Sequence, residues 1–458
     1  MVKLITISAI FFLQVAVAQT KTEKLDSLFQ SAVNDGSFNG NVLIAEKGKV
    51  IYQKSFGYSD IKAKEKLTGK SVFELASVSK QFTAMGIVLL QKQGKLSYDD
   101  PISKFLPELS MYNDITIKNL LVHIGGLPDY MELMSQEENH DGFATNQTII
   151  DLFVKKKPPV VFKPGEKHEY SNTGYALLAS IIEKASGKSY GDYLAENIFK
   201  PLKMNDTRVY RRWFKPEKVK DVTKGYIYSD SLKRLVTPDE ISKDYFTIYL
   251  DGIVGDGMVN STTTDLLLWD QALYTDKLVN KQDKELIFSS YPTQSGKATN
   301  YGFGWKVSTS SLYGKIASHS GGWSGYVTYI ARYLDRNCTI IILQNAMNQN
   351  TKIPQAEIRN ILFEPIYKAD KKKMEEIVGI YKTEKGNERE LLFEKGKLYT
   401  KLNAEQKLEL IPISENKFLA DGYQPEVFYE FVAENNKISK YIVTQPELSV
   451  RSEAVKIK

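Results

Sequence analysis

Apolar and polar positions change period several times along the chain. After an uncharged apolar run from Leu4 to Val17, residues from about Glu23 to Asn34 repeat at helical spacing. Two strand-like runs follow, Asn41 to Ala45 and Lys49 to Phe56, joined by Glu46-Lys47-Gly48, which predicts a hairpin at one edge of a sheet. The run Phe82 to Leu90 is too apolar for a surface helix, and Gly94 offers its C-terminal stop. From Leu96 to about Lys200 the pattern is mainly helical and includes Gly174 to Ser186, which ends at Gly187. Strand-like runs return at Gly304 to Thr309, Val327 to Tyr333 and Cys338 to Gln344. The expected architecture is α/β: an antiparallel sheet built from both ends of one domain, with helices inserted between them.

Beyond a helical stretch from Gln355 to Tyr367 and the charged segment Lys368 to Lys373, the texture changes to short runs. These are Glu390 to Glu394, Lys397 to Leu402, Leu408 to Ile413, Phe428 to Val432 and Ile438 to Thr444, parted by turns such as Lys395-Gly396 and Asn435-Asn436. They predict a small all-β, barrel-like module. The expected division is a leader over 1–18, a first domain over 19–368, a linker over 369–374 and the β-module over 375–458.

Composition narrows the choices. A chain of 458 residues with 42% hydrophobic and 25% charged residues has material for two to three domains and a sizeable core. Met1-Val2-Lys3, the apolar run and Ala16-Val17-Ala18 before Gln19 read as a secretory signal peptide cut after Ala18. Its loss removes Lys3 and no acid, lowering the formal charge of +6 by one, too slight a balance to argue for nucleic acid. No later run approaches the roughly 20 apolar residues of a membrane span. Cys338 is the one cysteine, so no disulfide forms within the chain. His123, His140, His168 and His319 lack metal-ligand spacing, so no metal or other cofactor is expected.

The sharpest chemical signal is Phe73-Glu74-Leu75-Ala76-Ser77-Val78-Ser79-Lys80, which sets Ser77 and Lys80 three residues apart at the start of the apolar helix. Residues i and i+3 share one helix face, so the Lys80 amine can lie beside the Ser77 hydroxyl and help to deprotonate it. The tetrad also occurs at Ser59 to Lys62 and Ser414 to Lys417, and Ser77 alone reads equally well as a helix cap. Two other segments change that balance. In His168-Glu169-Tyr170-Ser171-Asn172, Tyr170 and Asn172 alternate, and in extended chain they face one side, with Lys80 as the positive charge a phenolate needs. In Ser318-His319-Ser320-Gly321-Gly322-Trp323, glycines let a substrate lie against the chain, and a backbone N–H can join that of Ser77 in an oxyanion hole. By itself this last segment reads as a glycine-rich turn.

Ser77-Val78-Ser79-Lys80, Tyr170-Ser171-Asn172 and His319-Ser320-Gly321, in that order, resemble the three motifs of the serine β-lactamase and penicillin-binding-protein superfamily. The resemblance covers about residues 24 to 365. It points to the class C β-lactamase-related group of D-alanyl-D-alanine carboxypeptidases, D-aminopeptidases and lactamase-like esterases. Leu120 to Pro128, Gly255 to Val259 and Tyr301 to Trp305 look alike as well. The resemblance implies a β-lactamase/transpeptidase-like fold with a helical subdomain. It also implies that Ser77 is the acylated nucleophile, that Lys80 assists it, and that Tyr170 is general base and then acid. Asn172, His319, Gly321, Gly322 and Trp323 would bind substrate, with the N–H groups of Ser77 and Gly322 on the oxyanion. Two departures matter. His319 stands where class C lactamases carry lysine, which removes a fixed charge for a substrate carboxylate. Ile124-Gly125 follows His123 where relatives show Thr-Ser, so that loop reads as structural. The C-terminal module is similar to small lipocalin-like barrels appended to such hydrolases, with packing or the shaping of substrate entry both open as its role.

The expectation is an exported serine hydrolase, periplasmic or secreted, acting on small-molecule or peptide substrates such as cell-wall fragments, with D-amino-acid-containing peptides favoured. The alternatives are an esterase of small acyl esters, a class C-type β-lactamase, and a penicillin-binding module that acylates without turnover.

Overall fold

The computed structural model describes residues 21–138, 140–363, 367–401, 406–423, 425–435 and 437–458. The expected leader, 1–18, lies outside the described residues. The described residues form two compact units, one over 21–309 and 315–353, the other over 310–314 and from 354 to 458. The stretch expected as a linker, 369–374, carries the start of a helix, Lys371–Ile377.

In the first unit, helix α1 spans residues 21–34 and is followed by the hairpin β1 (Gly40–Glu46) and β2 (Lys49–Phe56). Lys47 and Gly48 turn it with φ of 51° and 74°, the left-handed pair that matches strand twist in a two-residue loop. Four strands from the far end of the sequence complete the sheet: β3 (Lys306–Ser310), β4 (Gly314–Trp323), β5 (Tyr326–Tyr333) and β6 (Cys338–Gln344). The order is β3-β4-β5-β6-β1-β2, so β1 pairs antiparallel with β6 from Gly40↔Gln344 to Glu46↔Cys338. The expected sheet from both chain ends is therefore present.

One reading is corrected. The segment expected as a glycine-rich turn is the end of β4: Gly321 pairs with Thr328 and Gly322 with Val327, and the chain reverses only after Trp323. Two adjacent glycines have poor strand propensity, but tertiary pairing with the apolar β5 overrides it.

The helices lie between the two parts of the sheet in sequence. In α2 (Lys80–Lys92) every residue from Lys80 to Leu90 is buried, and Gly94 at φ 69° follows its end. Helix α3 (Asn172–Ser186) packs against it and stops at Gly187, φ 71°. Helix α4 (Thr263–Ala272) supports β1 and β6. Its Asp270 and Arg332 of β5 form a buried ion pair, with Thr339 of β6 donating to the same carboxylate at 2.7 Å.

In the second unit eight strands close a barrel: β7 (Gly379–Thr383), β8 (Glu388–Glu394), β9 (Lys397–Lys401), β10 (Lys407–Pro412), β11 (Lys417–Ala420), β12 (Val427–Glu434), β13 (Lys437–Gln445) and β14 (Val450–Lys456). Pairing of Tyr381 with Lys456 and Thr383 with Ala454 seals it. Leu391, Leu398, Leu410, Phe418, Phe431 and Tyr441 fill its core. Sequence patterning missed β7, β11 and β14, which are short or interleaved with charge.

Candidate active site

The short strand Phe73–Glu74 pairs with Val259–Ser261 and delivers the chain into a tight 3₁₀ turn, Ala76–Ser79, that carries Ser77. Ala76, directly before it, is held at φ 48°, a left-handed conformation that costs a residue with a Cβ energy and that surrounding structure must enforce. The enforcement is visible. Leu75 N–H donates to the Val259 carbonyl at 2.8 Å, the Leu75 carbonyl accepts from Thr328 Oγ1 at 2.7 Å, and Val259 N–H donates to Ser79 Oγ at 3.1 Å. Ser77 makes no capping bond to the helix that follows, so the capping alternative falls away.

Lys80 begins α2 and is fully buried. Its Nζ reaches Ser77 Oγ at 3.2 Å, Asn172 Oδ1 at 2.8 Å and the Asp256 carbonyl at 2.9 Å. An ammonium has three donors and no acceptor, and here three oxygens meet it. The arrangement aims a positive charge at the serine oxygen, where an alkoxide develops on attack. Of the other two Ser-x-x-Lys tetrads, Ser59 lies in a short strand and Ser414 Oγ accepts from Lys417 N–H in the barrel.

Tyr170 precedes α3, whose N-cap is Ser171, its Oγ accepting from Gly174 N–H at 3.1 Å. This frees the Asn172 side chain for Lys80 instead of the cap. The Tyr170 ring lies 4.9 Å from Lys80 Nζ and stays 38% exposed, so the phenol keeps access to a substrate. His123 braces this loop from behind: its Nδ1 accepts from Ser171 N–H at 3.1 Å and its carbonyl from Glu169 N–H at 2.9 Å. Its ring packs on Tyr170 and Tyr301 with centroids at 4.4 Å. Burial, with the charge of Lys80, pushes the His123 imidazole well below its ordinary range, so it is a neutral support.

The third segment comes alongside on β4. Strand β3 has five residues against the ten of β4 and so cannot cover its whole length. A Cβ at Gly321 would sit 2.3 Å from the Leu75 carbonyl oxygen and from Thr328 Oγ1, so only glycine allows β4 to approach the serine turn this closely. Gly322 faces open space and, with Ser77, Asn172, Asp256 and Trp323, lines a cavity of about 110 Å³. A wider groove of about 720 Å³ shares Gly322 and Trp323 and continues along Tyr228, Tyr245 and Met347.

His319 requires a correction. Expected to bind substrate, its side chain is 2% exposed, with Nε2 in a 2.8 Å hydrogen bond to the Tyr301 hydroxyl and Nδ1 2.7 Å from the Ser320 carbonyl. The carbonyl can only accept, so Nδ1 carries the proton and Nε2 accepts from Tyr301. Burial, aided by Lys80, pushes the imidazole down to about 3. A neutral ring with both nitrogens occupied offers substrate no polar atom, so its place is to hold β4.

Sequence reasoning passed over Glu74 and Asp256, which also line the cavity. The Asp256 carboxylate accepts from Tyr130 O–H at 2.9 Å, and burial raises it above the usual aspartate range. A signal for Glu74 was available: a lone acid between Phe73 and Leu75 in an otherwise apolar run.

The description "Beta-lactamase" belongs to the family whose model matches residues 25–362. Penicillin-binding protein 4* of Bacillus subtilis (strain 168) is 40% identical over 455 residues, which is 96% of this chain and all of that protein. Teichoic acid D-alanine hydrolase of Staphylococcus aureus is 28% identical over 73% of this chain and 76% of its own length. The solved octameric penicillin-binding protein homologue from Pyrococcus abyssi superposes with a TM-score of 0.63 at 27% identity, covering 95% of this chain and 99% of that one. With the serine turn, the buried lysine and the glycine strand assembled on that scaffold, the chain belongs to the β-lactamase family and is a serine hydrolase of the β-lactamase and penicillin-binding-protein superfamily.

Proposed function

We propose that the protein hydrolyses an amide or ester of a D-amino acid through an acyl-enzyme on Ser77. The observation that carries this is the reach of Lys80 Nζ to Ser77, Asn172 and the Asp256 carbonyl beside a cavity into which Ser77 and Gly322 both open. In the first half-reaction Tyr170 accepts the Ser77 proton and Oγ bonds to the substrate carbonyl carbon. The N–H groups of Ser77 and Gly322 hold the oxyanion. Collapse breaks the bond to the leaving amine or alcohol, which takes the proton from Tyr170. A water then attacks the ester carbonyl, losing its proton to Tyr170, and the Ser77 oxygen leaves with that proton as the acid is released. Asn172 orients Lys80, and Trp323 walls the cavity next to the open groove, where a large leaving group such as a cell-wall fragment has room.

The D-amino-acid substrate is supported by the relative named as a teichoic acid D-alanine hydrolase. A second reading, an esterase of small acyl esters, is favoured by the buried, neutral His319, which leaves no fixed cation there for a substrate carboxylate. The same observation weighs against a dedicated β-lactamase. Export through the segment Met1 to Ala18 is part of the proposal, and protein recovered from the envelope or medium is expected to begin at Gln19. The test is turnover by wild type and Ser77→Ala of D-alanyl amides and esters, D-Ala-D-Ala peptides, nitrophenyl esters and a chromogenic lactam. Wild type is expected to turn over D-alanyl compounds, and Ser77→Ala to lose at least about 10⁴-fold. Labelling without turnover on every compound would favour a binding module, and normal activity of the variant would remove Ser77 from the site.

A further inference from the structure

Glu74 shares the catalytic cavity yet has no part in acyl transfer. It closes the short strand three residues before Ser77 and lines the same recess of about 110 Å³. At roughly 10–15 Å³ per water, that is room for a handful of non-hydrogen atoms, an acyl group of alanyl size. Met131, Leu250, Ile253 and Met258 make much of the wall apolar, and among the described residues lining it there is neither lysine nor arginine. The other lining acid, Asp256, is already engaged by Tyr130. Among the described residues none hydrogen-bonds or ion-pairs with the Glu74 side chain. On its other side Glu74 lines a second recess together with Arg212, whose charge pulls on the carboxyl without an ion pair, while its Nη2 donates to the Thr223 carbonyl at 2.9 Å. Burial, then the charges of Asp251 and Asp256, push the Glu74 carboxyl up to about 8 against the pull of Arg212. A half-buried carboxyl that faces the recess with no cation in contact is relieved by a positive charge entering it.

We infer that Glu74 reads a free α-ammonium group on the acyl half of the substrate. Resting on the D-aminoacyl reading above, this makes the substrate class unblocked D-aminoacyl amides and esters, recognised by their amine end, in place of peptides recognised by a C-terminal carboxylate. Blocking the amine would leave Glu74 facing a neutral amide in an apolar recess, and the site would reject it.

The experiment compares kcat/KM for D-alanine p-nitroanilide, N-acetyl-D-alanine p-nitroanilide and propionyl p-nitroanilide in wild type and Glu74→Gln. Wild type is expected to prefer the free amine over both neutral analogues by at least about 100-fold, a result that needs no variant. In Glu74→Gln the ratio of free-amine to N-acetyl turnover is expected to fall at least about tenfold. Because it is a ratio, a general loss of active protein does not imitate it. Equal turnover of blocked and free D-alanyl compounds by wild type, or an unchanged ratio in the variant, overturns the role of Glu74 and leaves the D-aminoacyl function standing. Turnover of propionyl anilide or a nitrophenyl acetate with none of either D-alanyl compound overturns that function, and the inference with it.

Discussion

Each N–H of the Lys80 ammonium has an oxygen in reach, and the residues that matter most are those that keep it so. Asn172 and the Asp256 carbonyl fix the amine, and His123 and His319 fix the two backbones on either side while remaining uncharged. That neutrality has a consequence for stability. The folded pKa of His319, about 3, lies below its ordinary 6.5, so the folded state binds fewer protons between those values than the unfolded chain. Its contribution is complete above pH 6.5 and is lost as pH falls towards 3. The difference in thermal midpoint between wild type and His319→Asn is therefore expected to shrink across that interval, because the variant has no imidazole to protonate. A constant difference in a melting series over pH 4 to 7 would contradict the buried, neutral assignment. Glu74 has the opposite sign: raised to about 8 from 4.5, it stabilises fully below pH 4.5 and loses that contribution as pH rises to 8. Ser77, Lys80, Tyr170 and Asn172 could be singled out in the sequence because three short motifs occur in one order, whereas the Ser-x-x-Lys spacing alone recurs at Ser59 and Ser414. Glu74, Asp256 and the bracing Tyr130 and Tyr301 were not, since their meaning depends on which distant segments close the cavity.

At the scale of elements, the serine turn is held by pieces far apart in sequence: the strand Val259–Ser261, Thr328 on β5, and β4 drawn in by a missing side chain at Gly321. Helical and strand periods exposed α2, α3, β1, β2, β5 and β6, of which all but β2 are buried along most of their length. The end of β4 was misread because two glycines carry no periodicity, and a strand made by its neighbours leaves little trace in its own residues. The same sheet contains a buried ion pair that is costly to break. Arg332 on β5 is buried against the rings of Tyr274, Phe288 and Trp305, with Asp270 on α4 as its counter-charge. Asp270→Ala would strand the guanidinium in an apolar setting and is expected to lower stability by about 3–5 kcal/mol in denaturant unfolding. A loss under about 1 kcal/mol would mean that water or another group satisfies Arg332.

Across the whole molecule, two separately cored units follow from one chain. The change from helical periods to short alternating runs revealed the second of them. Its closure was harder to see, because the sealing strands β7 and β14 carry interspersed lysines, an arginine and a glutamate that blur the period of two. In the first unit, both ends of the sequence build one sheet, and the segment between them gathers Lys80, Asn172 and the Asp256 loop around a single hydroxyl, with the Tyr170 ring 4.9 Å from Lys80 Nζ. That convergence on Ser77 is the central claim. It is tested most directly by incubating the protein with an activated D-alanyl ester, quenching, and mapping the adduct by mass spectrometry. The account predicts one D-alanyl group per chain, on the peptide containing Ser77, and none in Ser77→Ala. An adduct on another residue, or one that persists in the variant, would contradict it.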